Sequence, residues 1–312
     1  MEVSRFCSTA RLLIVAGKGG VGKTTVTAAL ARAAARAGLS SLIVEVEGKS
    51  GIGAVFGRRE VLSYEEVLLH AGGGPDGDAD VRGRTLTPDD ALLEYLEDHG
   101  MRRVSKRLAG SGALDVVSTA VPGIKDILVL GKVKQLERAA AADVIVLDAP
   151  AAGHAVTFLT SARGLLDAAR VGPIRAQAAD VVALLSDPAR CQVLLVTLPE
   201  ETPVNEVVET AFALEDRVGI KLGPVVVNGL YPPLPGLAEA LSGAASVNGP
   251  VRAAAEFRLA RERLQQEQVA RLADVLPLPQ LHLPFLFTPE VGPLELERMV
   301  DALVAQIEAL PS

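Results

Sequence analysis

Residues 11 to 36 leave the chain few ways to fold. An apolar run, RLLIV (11–15), is followed by GKGGVGKTT (17–25) and then by the Ala-rich VTAALARAAAR (26–36). The first segment lacks polar alternation, as a strand buried on both faces does, and the last reads as a helix. Between them, Gly17-x-x-x-x-Gly22-Lys23-Thr24 fits the template of a phosphate-binding loop in its required strand-to-helix context. Glycines let the backbone curl so that successive N–H groups point at phosphate oxygens, and the helix start adds its positive dipole end. Lys23 is expected to reach the β- and γ-phosphates of a nucleotide and the Thr24 hydroxyl to bind Mg²⁺. The expected nucleotide contacts are Gly17, Lys18, Gly19, Gly20, Val21, Gly22, Lys23, Thr24 and Thr25.

Similar short apolar runs recur: SLIVEV (41–46), DVIVL (143–147), CQVLLVT (191–197) and GPVVV (223–227), with QLHLPFLF (280–287) as a further strand that would close the sheet. Helical patterns lie between them. Strands alternating with helices predict right-handed crossovers, hence an α/β fold: a P-loop NTPase with a mostly parallel central sheet flanked by helices. Ligands in such sheets bind beyond the carboxyl ends of the strands. Residues 71–84, AGGGPDGDADVRGR, read as a mobile loop; Thr87-Pro88 opens a helix that Gly100 closes. Helices are also expected over 124–141, 160–187 and 251–275. No clear linker or repeat divides the chain. It reads as a single domain, 1–312, with a helical subdomain contributed by about 87–141 and 160–187.

A phosphate loop of this kind needs a carboxylate at the end of a neighbouring strand to hold the magnesium shell. DVIVLD delivers Asp148 there, as a Walker-B Asp. Glu45 and Glu47 end another strand, in IVEVEGKSG, and a carboxylate there could orient the attacking water. Period 2 puts both on one face, which leaves surface exposure as the competing reading.

The bulk composition narrows the function classes. A net charge of −7 argues against a general nucleic-acid binder. The dense basic cluster Arg102, Arg103, Lys106 and Arg107 reads as a solvated helix face. Cys7 and Cys191 are the sole cysteines, with no CxxC; that removes a disulfide framework or a four-Cys metal site and fits a reducing, cytoplasmic compartment. No run approaches the ~18 apolar residues of a membrane span. His70, His99 and His282 are scattered and read as ordinary surface or core residues.

The chain has eight lysines, and two fall within GKGGVGKTT. Lys18 marks the deviant Walker A loop, GKGGxGKT, and here the sequence resembles the partitioning, nitrogenase-reductase and arsenical-pump ATPases. In those families the extra lysine crosses a dimer interface to the partner's phosphates, so the resemblance implies Lys23 for its own nucleotide and Lys18 for its neighbour's. Over about residues 11–308 the chain further resembles the ArsA-like family, which includes tail-anchored-protein-targeting ATPases, and most closely its single-copy actinobacterial members. LIVEVEGKSGIGAVF (42–56) resembles the first switch, with Glu47 where the family has its catalytic Asp. VPGIKDILVLGKV (121–133) looks like the P-G helix, and DAPAAGH (148–154) like the second switch, retaining Asp148, Gly153 and His154. His154 would be a γ-phosphate sensor or a structural switch residue. TLPEETPVNE (197–206) and VVVN (225–228) resemble segments holding the base and sugar, which makes Glu200 and Asn228 nucleotide contacts. LPFLFTPEVG (283–292) looks like the family's closing segment.

The resemblance implies ATP and Mg²⁺ as ligands, ATPase activity in which Lys18, Lys23, Glu47 and Asp148 are catalytic, and a homodimer or a heterodimer with a related ATPase. It also implies helical subdomains that engage a hydrophobic client or membrane partner. Several departures bear on this. Glu47 is longer than Asp, and Ala149, Ala151 and Ala152 thin the polar groups of the second switch. The targeting ATPases' CxxC pair and the pump's metalloid cysteines are both absent. A low-activity nucleotide-binding regulatory subunit is therefore an alternative, as is a MinD/ParA-type positioning ATPase. The amphipathic but acidic LELERMVDALVAQIEAL (294–310) argues against the latter.

Overall fold

The glycine-rich loop leaves the interior of an eight-stranded sheet. The computed structural model describes residues 1–46, 51–73, 77–98, 100–108, 123–168, 170–243 and 248–311. Its strands are β1 (Leu12–Gly17), β2 (Ser41–Val46), β3 (Val67–His70), β4 (Val81–Leu86), β5 (Val144–Ala151), β6 (Cys191–Thr197), β7 (Val225–Leu230) and β8 (Gln280–Pro284). The helices are α1 (Val3–Cys7), α2 (Lys23–Arg36), α3 (Gly51–Val55), α4 (Pro88–Asp98), α5 (Arg102–Leu108) and α6 (Ile124–Arg138). They continue with α7 (Ala152–Ala168), α8 (Pro173–Leu185), α9 (Glu201–Val218), α10 (Leu237–Gly243), α11 (Gly249–Val275) and α12 (Pro293–Glu308).

The sheet order is β3-β4-β2-β5-β1-β6-β7-β8. Every neighbouring pair is parallel except the edge pair β3–β4. β1 lies between β5 and β6, with Val15 opposite Asp148 on one side and Leu194 on the other. From β1 the chain winds through α2 to β2 on one side; from β5 it passes β1 to reach β6 on the other. β1 therefore stands where the winding reverses, and the crevice beyond its carboxyl end is the ligand position of such sheets.

The unbroken apolar strands are explained by two cores. Leu12 and Ile14 enter one with α6, α7, α8 and α9, while Leu13 and Val15 enter the other with α2 and α12. In α2 small side chains allow a close approach to the sheet: Ala28, Ala29, Ala31, Ala33, Ala34 and Ala35 are all fully buried. α12 is tied to α2 by ion pairs of Arg32 and Arg36 with Glu297 and of Arg36 with Asp301.

Three expectations need correction. Residues 81–84 are not loop; they begin β4, which pairs with β2 from Ser41↔Val81 to Val46↔Leu86. Its polar VRGRTL pattern hides a strand because the arginines are engaged: Arg82 meets Glu66 at 2.6 Å, and Arg84 lies 4.5 Å over the Tyr64 ring. The helix expected over 160–187 starts earlier and is two helices, α7 and α8, parted at Gly172 with Pro173 opening the second. That over 124–141 stops at Arg138, before Ala140 at φ 48°. Thr87 caps the start of α4, the Asp90 amide donating to its Oγ1 at 3.2 Å. Arg102, Arg103 and Lys106 are exposed on α5. Among the described residues, no helix is long and apolar enough to cross a membrane.

Candidate nucleotide-binding site

β1 delivers the loop, and three glycines at positive φ, Gly17, Gly20 and Gly22, allow it to curl. Gly17, at φ 154°, runs so near β6 that a Cβ would lie 2.3 Å from the Val196 carbonyl oxygen. Gly22 is left-handed at φ 91°, and a Cβ there would meet Asn228 Nδ2 at 2.2 Å. Gly19 and Gly20 form the exposed tip, and Val21 is buried beneath it. α2 then starts with the Val26 amide on the Gly22 carbonyl and with no side chain capping its first turn. An uncapped helix start facing a crevice is a binding site for an anion.

The two loop lysines go to different places. Lys23 is buried, and its Nζ donates to the carbonyl of Lys18 at 2.8 Å, across the interior of the loop. Lys18 points away, its Nζ 2.6 Å from Glu206 Oε1 on α9, with its side chain 43% exposed. Glu206 Oε2 is buried and has no hydrogen-bond partner among the described residues.

Thr24 and Asp148 are brought together, Thr24 Oγ1 donating to Asp148 Oδ2 at 2.8 Å. Asp148 is fully buried within β5, which runs on for three residues beyond it to Ala151. A hydroxyl and a carboxylate converging beside an uncapped helix start are hard oxygen donors of the kind Mg²⁺ takes, so these residues fit Mg²⁺ with a phosphate group. Thr24 and Thr25 also line a cavity of about 400 Å³ whose other walls are α3 and Glu290, Val291 and Gly292.

The remaining site residues fall in less expected surroundings. Glu45 is fully buried, not exposed. It accepts from the Ile52 amide at 3.3 Å and from Thr85 Oγ1 at 3.1 Å, and it stands opposite Asp148 in the β2–β5 register. Asn228, on β7, donates its side-chain amide to the Val21 carbonyl at 2.9 Å. Glu200 precedes α9 and pairs with Arg261 at 2.8 Å. Glu47 lies outside the described residues, as do the side chains at 151–154, His154 among them.

Sequence reasoning missed an aromatic cluster at the carboxyl ends of β7 and β8. Tyr231, Phe285 and Phe287 stack with centroids 4.8 to 5.5 Å apart, and Arg258 of α11 lies 4.4 Å over the Tyr231 ring. Gln265 ties α11 to this corner by bonds to the Gly229 carbonyl and the Tyr231 amide. A signal existed: two exposed phenylalanines within three residues, in a chain only 3% aromatic.

Residues 12–143 match the CobQ/CobB/MinD/ParA nucleotide binding domain. The chain is 34% identical over 228 residues to the protein named ATPase BagA of Mycobacterium tuberculosis, covering 71% of this chain and 65% of that one. It is 26% identical over 240 residues to the arsenical pump-driving ATPase of Escherichia coli, covering 70% of this chain and 39% of the pump ATPase. A putative arsenical pump-driving ATPase of Halobacterium salinarum is also 26% identical, over 244 residues. The chain thus spans about two thirds, or less, of the length of these relatives.

Proposed function

From a chain that carries a CobQ/CobB/MinD/ParA-type P-loop nucleotide-binding domain, and whose relatives support an ArsA-like actinobacterial affiliation, we propose that it binds ATP with Mg²⁺ and hydrolyses it as a dimer. In that dimer each Lys18 serves the partner's site. The observation that carries the reading is the divergence of the two loop lysines, Lys23 inward on the Lys18 carbonyl and Lys18 outward on Glu206.

Each residue then has a part. The amides from Gly17 to Thr25 and the uncapped start of α2 hold the phosphates, and Lys23 neutralises their charge inside the loop. Thr24 Oγ1 and Asp148 hold Mg²⁺, which when bound neutralises charge on the phosphate oxygens. Glu47 orients the attacking water. Asn228 fixes the loop through Val21 and keeps a second amide hydrogen for an adenine base, and Glu200 contacts the sugar. Lys18 must leave Glu206 to reach a partner, but both side chains are more than a third exposed, so that ion pair holds it by only about 0–1 kcal/mol. Loss of the γ-phosphate would move the helical subdomain of about 87–141 and 160–187, where a hydrophobic client or membrane partner is engaged.

The test is phosphate release by the full chain with ATP or GTP, with and without Mg²⁺. Mg²⁺-dependent turnover that prefers ATP and disappears in Lys23→Ala is expected. Tight ATP binding without release under any condition would overturn the hydrolytic reading.

A further inference from the structure

The described part of the site contains a buried carboxylate to which neither the loop nor the magnesium pair assigns a task. Glu45 is at the end of β2, fully buried, directly opposite Asp148 in the parallel β2–β5 register. Side chains of paired residues on neighbouring parallel strands emerge on the same face. Glu45 follows the parity of Ile43 and Asp148 that of Val146, and both of those pack in the core that contains α2. Glu45, Asp148 and Thr24 therefore occupy one layer.

Burying a carboxylate is costly unless its oxygens are bonded, so its partners indicate what it holds. Oε1 accepts from the amide of Ile52, in the first turn of α3; Oε2 accepts from the Thr85 hydroxyl on β4. α3 is in turn pressed onto the magnesium end: a Cβ on Gly51 would lie 2.8 Å from Thr24 Cγ2. A continuous path runs from β4 through Thr85, Glu45 and the Ile52 amide to Gly51, Thr24 and Asp148.

We propose that Glu45 is a positioning residue, anchoring the start of α3 to the sheet so that residues 51–55 are held against the Thr24–Asp148 pair. This rests on the nucleotide-site reading and deepens it. In this role Glu45 sets the place of the segment that follows Glu47. An amide in place of the carboxylate cannot accept from both donors with the same strength, so Glu45→Gln loosens the anchor while keeping the volume.

The experiment compares Glu45→Gln with wild type on three readouts: hydrogen exchange over residues 51–57, Mg²⁺-free ADP affinity, and kcat against KM for ATP. Faster exchange at 51–57, ADP affinity within about twofold and kcat reduced roughly tenfold or more are expected, the size of losing a charge-assisted bond. Unchanged exchange at 51–57, or faster exchange with kcat intact, overturns the proposal. Thr85→Val, which removes one of these donors, should give the same pattern at smaller amplitude and serves if Glu45→Gln does not fold. If wild type binds nucleotide without hydrolysing it, the hydrolytic reading fails. The anchor is then judged by exchange and by the gain in ADP affinity on adding Mg²⁺, expected to shrink in Glu45→Gln and to overturn the proposal if unchanged.

Discussion

Replacing Gly22 by alanine tests how the loop is held, because the structure gives each contribution separately. Gly22 has φ 91° and ψ 24°, where an L side chain costs about 1–2 kcal/mol. Its new Cβ would lie 2.2 Å from Asn228 Nδ2, so Asn228 must be displaced and its 2.9 Å bond to the Val21 carbonyl lost. That bond is worth about 1 kcal/mol, and forcing the overlap adds about 1 kcal/mol more. Gly22→Ala should therefore destabilise by roughly 3–4 kcal/mol and Asn228→Ala by about 1 kcal/mol. In the double variant nothing remains to collide and the bond is lost only once. Its cost should be about 2–3 kcal/mol, a coupling of about −2 kcal/mol relative to additivity. Urea unfolding of the four ligand-free proteins measures this. Additivity within about 0.5 kcal/mol would refute the claim that Asn228 braces the loop at Gly22.

Other outcomes follow from the same geometry. Thr24→Val keeps the shape but removes the donor to Asp148; ADP affinity without Mg²⁺ should hold within about twofold while the gain on adding Mg²⁺ falls roughly tenfold, as read by competition with a fluorescent nucleotide. Cys7 and Cys191 are buried, and burial pushes the Cys7 thiol up to about 12 and that of Cys191 up as well. Neither should react with a thiol reagent at neutral pH, and both should react once the chain is unfolded in urea. Burial lowers the pKa of His282 below its ordinary 6.5. The unfolded chain then binds the proton more readily, so the stability contribution is full above 6.5 and is lost as pH falls below it. His282→Gln should flatten that decline in urea titrations across the mildly acidic range.

The strand-loop-helix from Leu12 to Arg36 was legible because each residue type there has a local reason: no polar alternation, glycines at the turn, small residues where the helix meets the sheet. Asp148 was legible for a similar reason, a carboxylate ending an apolar run. β4 was hidden because its period is masked by Arg82 and Arg84, which are tolerable in a sheet because partners from elsewhere in the chain, Glu66, Tyr64 and the Ala141 carbonyl among them, engage them. Glu45 was ambiguous for a related reason. Period 2 gives the face of the sheet but not what covers it: the cover comes from α3, which follows only a few residues later but turns back over the strand, and from Thr85 on another strand. Asn228 under the loop and Glu206 beside Lys18 likewise lie about 190 to 210 residues from their partners, a separation over which no local pattern carries information.

The central claim is that catalysis needs two chains because Lys18 works across an interface. The direct measurement is ATPase activity per subunit from nanomolar to tens of micromolar protein, for wild type and Lys18→Ala. The account predicts specific activity that rises with concentration and saturates, and that is lost in Lys18→Ala while ATP binding persists. Specific activity independent of concentration in wild type, with Lys18→Ala fully active, would contradict it.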